Sequence, residues 1–464
     1  MFSPETYKTR RDELRKMLPD GIVFFPGNMD VPFNYPSNTY SYRQDSTFMY
    51  YFGLQEPCLS GVIDIDNGSE CLFGDDSTMD DIIWIGKQPS MIDKAASIMI
   101  SQTQPYAALA DVLQKAQQQG RTIHFLPPYR AETKIHLWEI LGILPALQKE
   151  NASVPLIKAV VKMRIVKELQ EIEQIETAIG TCYQMHTYVM KHVRAGMVES
   201  ELSGAIEGIA LANGGQVSFP VILSVNGQIL HNHFHGNTMY DGQLLITDAG
   251  AETAMGYAGD ITRTMPVSGR FDARQKAIYQ TVLQANLKGI GLCQPGVYYR
   301  DIHLAAARVI ADGLKDAGLM RGNMDDAVAL GAHTLFFPHG LGHAMGLDVH
   351  DMEGLGENYV GYDDTISRST EFGLKSIRFG RRIGTGYVLT VEPGIYFIPA
   401  LIDQWVAEKK FAEFINYDIL MDYRTFGGIR IEDNILITGS GCRVLGQPVP
   451  KTVEEVESMI NEAR

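Results

Sequence analysis

The hydrophobic pattern of roughly the first 150 residues alternates between helical and strand-like periods. Charged and apolar positions from Thr6 to Leu18 follow a helical period, which predicts a surface helix. The apolar run GIVFFPG follows and is closed by Pro26 and Gly27, which predicts a buried strand. Further strand-like runs are FMYYFGL, SGVIDID, ECLFG, IIWIG and TIHFLP, with a DNG hairpin turn at 66–68 and a helical stretch YAALADVLQKAQQQ. This mixture predicts an α/β domain.

The pattern changes after residue 155. Apolar residues at helical spacing between Val161 and Val193 predict one long helix, and a domain boundary just before it divides the chain into residues 1–155 and 156–464. A second helix, ESELSGAIEGIALANG, ends at Gly214 and Gly215. The runs VILSVNG and QLLITDAG then predict strands, two further helices follow, and the last stretch is rich in strands. This order predicts an α+β domain with helices on one face of a mainly antiparallel sheet.

Composition excludes several classes of function. The 464 residues are 45% hydrophobic and 20% charged, as in ordinary globular proteins. The formal net charge of −15 repels phosphate backbones and anionic lipid, so we expect no nucleic-acid partner and no membrane partner. The five cysteines are scattered and never spaced as CxxC, which argues against a disulfide framework and a cysteine zinc site. A charged N-terminus and the lack of a long apolar run favour a soluble, cytoplasmic protein.

Four acidic residues close or interrupt strand-like runs. Asp248 ends QLLITD, and Asp260 opens the next strand after a glycine-bearing turn, so the two could share one face of a hairpin. Glu392 lies in LTVEPG and Glu432 in GIRIED, while His343 lies in HGLGH. Each alone is typical of a solvated or salt-bridged strand end. Together, carboxylates and a histidine at the ends of buried strands are hard to explain without cations.

Four carboxylates and one imidazole suit a pair of divalent metal ions about 3.5–4 Å apart, bridged by carboxylates and a water. Oxygen-rich ligation without a thiolate favours Mn²⁺, with Zn²⁺ and Co²⁺ as alternatives. Other chemistries lack their motifs. HGLGH has no glutamate where a zincin requires it, GLGHAMG is not a dinucleotide fingerprint, and neither a P-loop nor a GxSxG elbow occurs.

The motifs LITDAG, GYAGDITRTMP, HGLGHAMGLDVHD, LTVEPGIY and GIRIED, in this order, resemble those of the proline-specific pita-bread metallopeptidases, the prolidase and aminopeptidase P family, and are closest to prolidase. YRQDSTFMYYFGLQEP and IIWIGK resemble the amino-terminal domain of the same branch. The resemblance covers nearly the whole chain. It implies an α+β, pita-bread (creatinase/aminopeptidase-like) catalytic domain preceded by a smaller α/β N-terminal domain, and hydrolysis of the Xaa-Pro bond in peptides with proline in the second position.

The resemblance also implies roles for individual residues. The metal ligands would be Asp248, Asp260, His343, Glu392 and Glu432, with Asp260 and Glu432 as bridges and Glu392 also as general acid/base. The substrate-binding and transition-state histidines would be His231 and His350, with His339 in the wall beside them and Arg430 behind the metal ligands. One departure is the spacing of the two aspartates, which is twelve where eleven is expected, so the turn between them carries one extra residue.

Two proline-specific activities stay open. A dipeptidase must bind the free carboxylate of its substrate, and Arg378 in GLKSIR matches the basic residue that does so in prolidase. Xaa-Pro aminopeptidase, which acts on longer peptides, is the alternative. Creatinase shares the fold but lacks the five ligands, and a non-catalytic peptide-binding module on this fold is expected to have lost them. A homodimer, with a tetramer as alternative, is implied by relatives in which a tryptophan matching Trp84 reaches the neighbouring subunit.

Overall fold

A computed structural model describes all 464 residues, Met1–Arg464. The chain divides into two compact units, one of Met1–Arg164 with Glu353–Tyr359 and the other of Ile165–Met352 with Val360–Arg464. The domain boundary expected at residues 155–156 falls inside a helix near the end of the first range and stays a prediction. None of the helices combines the length and apolarity that crossing a bilayer requires.

Short helices and strands alternate through residues 1–164. The helices are α1 (Pro4–Met17), α2 (Ser46–Phe52), α3 (Met79–Ile85), α4 (Met91–Ala96), α5 (Ala108–Gln118), α6 (Ala131–Leu141), α7 (Gln148–Asn151) and α8 (Val154–Arg164). The strands are β1 (Ile22–Pro26), β2 (Pro32–Tyr35), β3 (Asn38–Thr39), β4 (Ser60–Asp64), β5 (Glu70–Phe73), β6 (Gln102–Gln104) and β7 (Ile123–His124). Five of these strands form a mixed sheet in the order β6-β5-β4-β1-β7. The predicted α/β character and the predicted β4–β5 hairpin are confirmed.

Two runs predicted as strands are helices. FMYYFGL lies in α2, because the Asp45 side chain accepts hydrogen bonds from the first backbone amides and Gly53, in the left-handed conformation, ends the helix. IIWIG lies in α3, which begins with a capping box formed by Thr78 and Asp81 and ends at Gly86 with a positive φ. In both cases the capping residues decide the structure, and the apolar run between them fits a helix or a strand equally well.

Residues 165–464 are built from longer helices and short strands. The helices are α9 (Leu169–His192), α10 (Glu199–Ala212), α11 (Ala273–Leu292), α12 (Tyr299–Asp316), α13 (Met324–Ala329), α14 (Glu357–Val360), α15 (Pro399–Glu408), α16 (Tyr417–Leu420) and α17 (Val453–Glu462). The strands are β8 (Ile222–Ser224), β9 (Leu244–Ala249), β10 (Ile261–Pro266), β11 (Val388–Val391), β12 (Gly394–Tyr396), β13 (Gly428–Arg430), β14 (Asp433–Ile437) and β15 (Cys442–Val444).

The strands of the second unit pair as three short sheets, β10-β9-β8, β11-β14-β15 and β12-β13, and every pairing is antiparallel. Helices α9, α10, α11 and α17 pack against them. The predicted α+β class with antiparallel pairing is therefore confirmed, in three sheets instead of one. The division arises because the chain leaves β11 and β13 after a few residues and continues in a strand of a different sheet.

The long helix predicted between Val161 and Val193 is interrupted at residues 165–168, between α8 and α9. Glu168 is extended and begins α9, and its backbone amide donates to the Glu171 carboxylate. The backbone amide of Lys167 donates to the Gly386 carbonyl instead of continuing a helix. Its ammonium forms a buried ion pair with Asp351 at 2.9 Å, so this link has a tertiary role that periodicity does not reveal.

Candidate active site

The second unit contains a cavity of about 720 Å³. All ten residues named from the sequence line it: His231, Asp248, Asp260, His339, His343, His350, Arg378, Glu392, Arg430 and Glu432. They come from separate strands and loops that span about 200 positions of the chain. The fold therefore brings the whole predicted set together.

Asp248 and Asp260 share one face of the β9–β10 hairpin. Thr262 lies opposite Asp248 in the ladder, and Asp260 is two residues before Thr262, so its side chain lies on the same face. The ladder stays in register up to the bridge between Glu252 and Ala258. The tip of the turn therefore absorbs the extra residue suggested by the spacing of the two aspartates.

Glu392 and Glu432 lie at breaks between strands. Glu392 separates β11 from β12, and Glu432 separates β13 from β14. Because β11 pairs with β14 and β12 pairs with β13, both glutamates occupy the point at which the chain passes from one sheet to the other. The backbone amide of Glu392 donates to Leu341 at 2.8 Å, and that of Glu432 donates to Thr262 at 3.0 Å, which aligns both segments with neighbouring parts of the site.

His343 presents its Nε2 atom to the carboxylates. Its Nδ1 lies 3.0 Å from the Ala344 carbonyl oxygen, which can only accept, so Nδ1 carries the hydrogen. Nε2 lies 3.4 Å from Asp260 Oδ2 and 3.6 Å from Glu392 Oε1. This tautomer directs a nitrogen lone pair at the acidic cluster, the usual arrangement of a metal-binding histidine.

The acidic cluster is electrostatically unfavourable without a cation. Burial raises the pKa of Asp260 and of Glu432 well above the carboxyl range, and the carboxylates Asp248 and Asp260, respectively, raise them further. Burial also raises the pKa of Glu392 to about 7. Asp260, His343 and Glu432 offer ligand atoms that all lie within 4.8 Å of one another.

Within the acidic cluster, three buried carboxylate oxygens have no hydrogen-bond partner: Asp248 Oδ1, Asp260 Oδ1 and Glu432 Oε1. A buried carboxylate oxygen without a partner is costly, and coordination of a metal ion removes that cost. The donor set is oxygen-rich with one imidazole, which suits a hard or borderline divalent ion. The residues present therefore fit a divalent metal site.

A chain of hydrogen bonds runs behind the acids. Arg430 Nη2 donates to Asp248 Oδ2 at 2.5 Å and Nη1 donates to the Tyr396 hydroxyl at 2.8 Å. The Tyr396 hydroxyl donates to Nε2 of His339 at 2.9 Å, since Nδ1 of His339 donates to the Gly340 carbonyl. Burial, with Arg430 adding positive charge, lowers the pKa of His339 to about 3, so this imidazole is neutral. These hydrogen bonds fix the Asp248 carboxylate, and they leave the neutral imidazole of His339 facing Glu392.

Three further predicted residues and several apolar ones complete the lining. The rings of His343 and His350 lie 4.1 Å apart between centroids. Burial and the charge of Arg430 lower the pKa of His231, which favours a neutral imidazole. Arg378 brings a guanidinium to the same cavity. The apolar lining consists of Phe219, Pro220, Ile222, Leu230, Pro338, Val349 and Ile398.

Several residues that hold the site have no role in the sequence-based prediction. Tyr396 lies in the quoted LTVEPGIY motif, so its place there was a usable signal. Thr262 donates to Glu432 Oε2 at 2.7 Å, and its period-2 relation to Asp260 placed it on the same face. Asn434 Nδ2 donates to the Asp260 carbonyl and its Oδ1 accepts from the Asp260 amide. Nothing in the sequence indicated a role in the site for Asn434 or for the helix residues that contact the strands, since their partners are distant in sequence.

Comparison with known proteins agrees with this geometry. The chain is 34% identical over 426 residues to human Xaa-Pro dipeptidase, covering 90% of this chain and 84% of the human protein. It is 29% identical over 462 residues to the probable Xaa-Pro aminopeptidase of Sordaria macrospora, covering 97% of this chain and 94% of that protein. Zinc-substituted Escherichia coli aminopeptidase P, solved in complex with product, superposes with a TM-score of 0.81 and 29% identity, covering 100% and 99% of the two chains.

Family models match both parts of the chain. Residues 7–124 match the aminopeptidase P N-terminal domain, and residues 173–439, more than half of the chain, match metallopeptidase family M24. The second match contains all ten predicted residues of the cavity, including the oxygen-rich set that fits a divalent ion. The chain therefore belongs to metallopeptidase family M24, and its pita-bread catalytic domain follows an aminopeptidase P-type N-terminal domain.

Proposed function

We propose that this protein hydrolyses the bond before proline in Xaa-Pro peptides, with a pair of divalent metal ions, and that dipeptides are its preferred substrates. The observation that carries the proposal is the convergence of four acids and His343 on one cavity in a chain of the M24 family. Relatives named Xaa-Pro dipeptidase and Xaa-Pro aminopeptidase support the substrate class. The residues that would hold the ions are Asp248, Asp260, His343, Glu392 and Glu432.

Divalent ions bound by these ligands would supply Lewis acidity, which polarises a carbonyl and makes a water molecule acidic near neutral pH. Glu392 lies beside His343 and at the cavity wall, where its carboxylate can accept a proton from the attacking water. The same carboxyl group returns the proton to the departing proline nitrogen. That nitrogen is a secondary amine and leaves as a neutral group only when protonated.

Two histidines are proposed to orient the scissile carbonyl. His231 and His350 line the cavity, and each can donate an N–H to the carbonyl oxygen or to the negative charge that develops on it. His339 and Arg430 hold the wall and the Asp248 carboxylate rather than contacting the reacting atoms. The apolar residues around the cavity offer a surface for the proline ring.

Arg378 favours a dipeptidase over an aminopeptidase. In a dipeptide the proline carries a free carboxylate, and a guanidinium is the side chain that binds a carboxylate in two parallel hydrogen bonds. Arg378 lies on the cavity wall together with His231 and Arg430, so a carboxylate inside the cavity is within its range. Xaa-Pro aminopeptidase is the second candidate, because aminopeptidase P structures match the full length of this chain.

Three peptides decide between these activities. Protein loaded with Mn²⁺ is incubated with Ala-Pro, Ala-Pro-Ala and Ala-Ala, and the release of alanine is measured. We expect turnover of Ala-Pro with little turnover of the other two. Preferential cleavage of Ala-Pro-Ala assigns the aminopeptidase, and equal cleavage of Ala-Ala contradicts proline selectivity. A protein that binds no metal under these conditions and cleaves none of the three peptides supports the non-catalytic peptide-binding module.

Replacing Arg378 by alanine should damage dipeptide turnover selectively. The lost charge-assisted hydrogen bonds are worth about 1.5–3 kcal/mol, so kcat/KM for Ala-Pro should fall by about 10–100-fold, mainly through KM. Ala-Pro-amide, which lacks the carboxylate, should show little change. Lys375→Ala, at an exposed position of the same segment, is the matched control. Equal loss with the amide and the acid would contradict a carboxylate-binding role.

Three finer proposals remain to be measured. Mn²⁺ is the proposed resident ion because the donor set is rich in oxygen, and elemental analysis of the purified protein tests this identity.

The proposed homodimer has support in α3, where Ile83, Trp84 and Ile85 are 68%, 84% and 66% exposed and so offer an apolar surface. Light scattering gives the subunit number. The proposed cytoplasmic location, without nucleic-acid or membrane partners, has support in five free cysteines and an acidic surface.

A further inference from the structure

The two glutamates of the site follow backbone carbonyls that lie at interruptions of the strand ladder. Val391 is the last residue of β11 and precedes Glu392, while Ile431 follows β13 and precedes Glu432. At such an interruption a carbonyl loses the partner that a continuous ladder would supply. A buried carbonyl without a donor is costly, so another group has to satisfy it.

Asn286 of α11 supplies that donor to both segments. Its Nδ2 lies 2.9 Å from the Val391 carbonyl oxygen and 3.4 Å from the Ile431 carbonyl oxygen. The residue is fully buried, with 0% of its surface exposed. One side-chain amide therefore joins the two backbone segments that carry Glu392 and Glu432.

Lys451 determines which way this amide faces. Its Nζ donates to Asn286 Oδ1 at 3.0 Å and to Asp433 Oδ2 at 2.6 Å. An ammonium only donates and a carbonyl only accepts, so the oxygen of Asn286 must face Lys451 and its NH₂ must face the strands. Asp433 in turn is held by Arg263 Nη2 at 2.7 Å, next to Glu432 in the chain. The amide therefore has one satisfied orientation.

Helix α11 packs closely enough against the strands for the fixed Asn286 amide to constrain their backbone. A Cβ atom at Gly289, one turn after Asn286, would lie only 3.0 Å from Val391 Cγ1, so α11 lies directly against β11 at this point. Helix α11 also packs against β12 and β13. Asn286 thus contacts the two strand breaks from a rigid element that is independent of both.

We propose that Asn286 is a positioning residue that sets the separation of the Glu392 and Glu432 segments and thereby the affinity of the site for divalent metal. The inference rests on the proposed metal-dependent function. Asn286 touches neither substrate nor metal in this proposal and acts through the backbone of the residues that precede the two ligands. Groups that hydrogen-bond directly to metal-ligating side chains typically affect metal affinity by about 10–100-fold, and we expect an effect of that order here.

Asn286→Asp tests the proposal, because a carboxylate still accepts from Lys451 but cannot donate to the two carbonyls. Metal-free full-length protein is titrated with Mn²⁺ by calorimetry, and we expect affinity to fall by about 10–100-fold. The Mn²⁺ concentration that gives half-maximal Ala-Pro turnover should rise by a similar factor. Asn286→Ser, a milder change that keeps one hydroxyl donor, should lie between wild type and Asn286→Asp, and it decides the matter if the first variant does not fold.

Tyr279→Phe is the matched control. Tyr279 is fully buried on the same helix, and its hydroxyl donates to the Lys451 carbonyl at 2.9 Å without contacting either strand break. It should lower the melting temperature of the metal-free protein and leave Mn²⁺ affinity unchanged. Wild-type Mn²⁺ affinity in the folded Asn286 variants overturns the proposal, as does an equal loss of affinity in Tyr279→Phe, which would indicate a general effect of stability.

The Mn²⁺ titration by calorimetry tests the role of Asn286 independently of the proposed peptidase activity. If the wild-type protein binds Mn²⁺ but cleaves no Xaa-Pro peptide, the proposed activity fails while the affinity comparison still decides the role of Asn286. If the Asn286 variants bind Mn²⁺ as wild type does while the wild type cleaves Ala-Pro, the activity stands and the positioning role is wrong.

Discussion

Replacing Glu392 by glutamine should lower kcat for Ala-Pro by about 10²–10⁴-fold, the usual contribution of a general acid/base. Glutamine keeps the size and one ligand oxygen of the side chain but can neither accept the proton of the attacking water nor return it to the proline nitrogen. KM should change little, since the other residues of the cavity are untouched. Steady-state kinetics with Mn²⁺ in excess provide the measurement.

The Glu392→Gln experiment needs two controls. Metal content of the variant shows whether the loss arises from proton transfer or from weaker coordination, because Glu392 is proposed for both roles. Glu408→Gln changes an exposed glutamate on α15 and should behave as wild type. Activity of Glu392→Gln within about threefold of wild type, with full metal content, would rule out the proposed proton transfer.

Removing divalent metal should abolish turnover and lower the melting temperature. The carboxylates of Asp248, Asp260 and Glu432 lie close together, and each has a buried oxygen without a hydrogen-bond partner. Repulsion among these groups therefore destabilises the metal-free folded protein. A ligand present at about a thousand times its Kd stabilises the folded state by about 4 kcal/mol. We therefore expect EDTA to lower the melting temperature by about 5–10 °C, and added Mn²⁺ to restore stability and activity.

Asp260→Asn separates metal binding from an unspecific effect of the chelator. The variant removes one of the repelling charges, so its metal-free form should melt no lower than metal-free wild type. It should also bind Mn²⁺ weakly and respond little to EDTA. Full activity of wild-type protein after exhaustive dialysis against EDTA would contradict the metal-dependent function.

Part of the fold could be predicted from the sequence, because residue spacing, helix ends and turn residues are local signals. The helices α1, α5, α10, α11 and α12 show helical spacing and recognisable ends, and the β4–β5 hairpin has a turn sequence of its own. The runs in α2 and α3 were assigned to the wrong structure because aromatic and β-branched residues fit strands, whereas Asp45 and Thr78 cap helices. The break at 165–168 depends on partners such as Gly386 and Asp351, which lie far away in sequence.

For the site, the sequence by itself predicted which side chains would carry the chemistry, because carboxylates and a histidine at the ends of apolar runs suggest a cation and their order resembles that of one family. The structure brings these side chains to one cavity, and their roles stay a proposal. Only the tertiary structure decided how they are held. The amides of Asn286 and Asn434, the Arg430–Tyr396–His339 chain and the ring contact of His350 all join residues from separate elements. A polar side chain in a sequence does not reveal its partner, since its hydrogen bonds are formed only when folding brings distant backbone groups within about 3 Å of it.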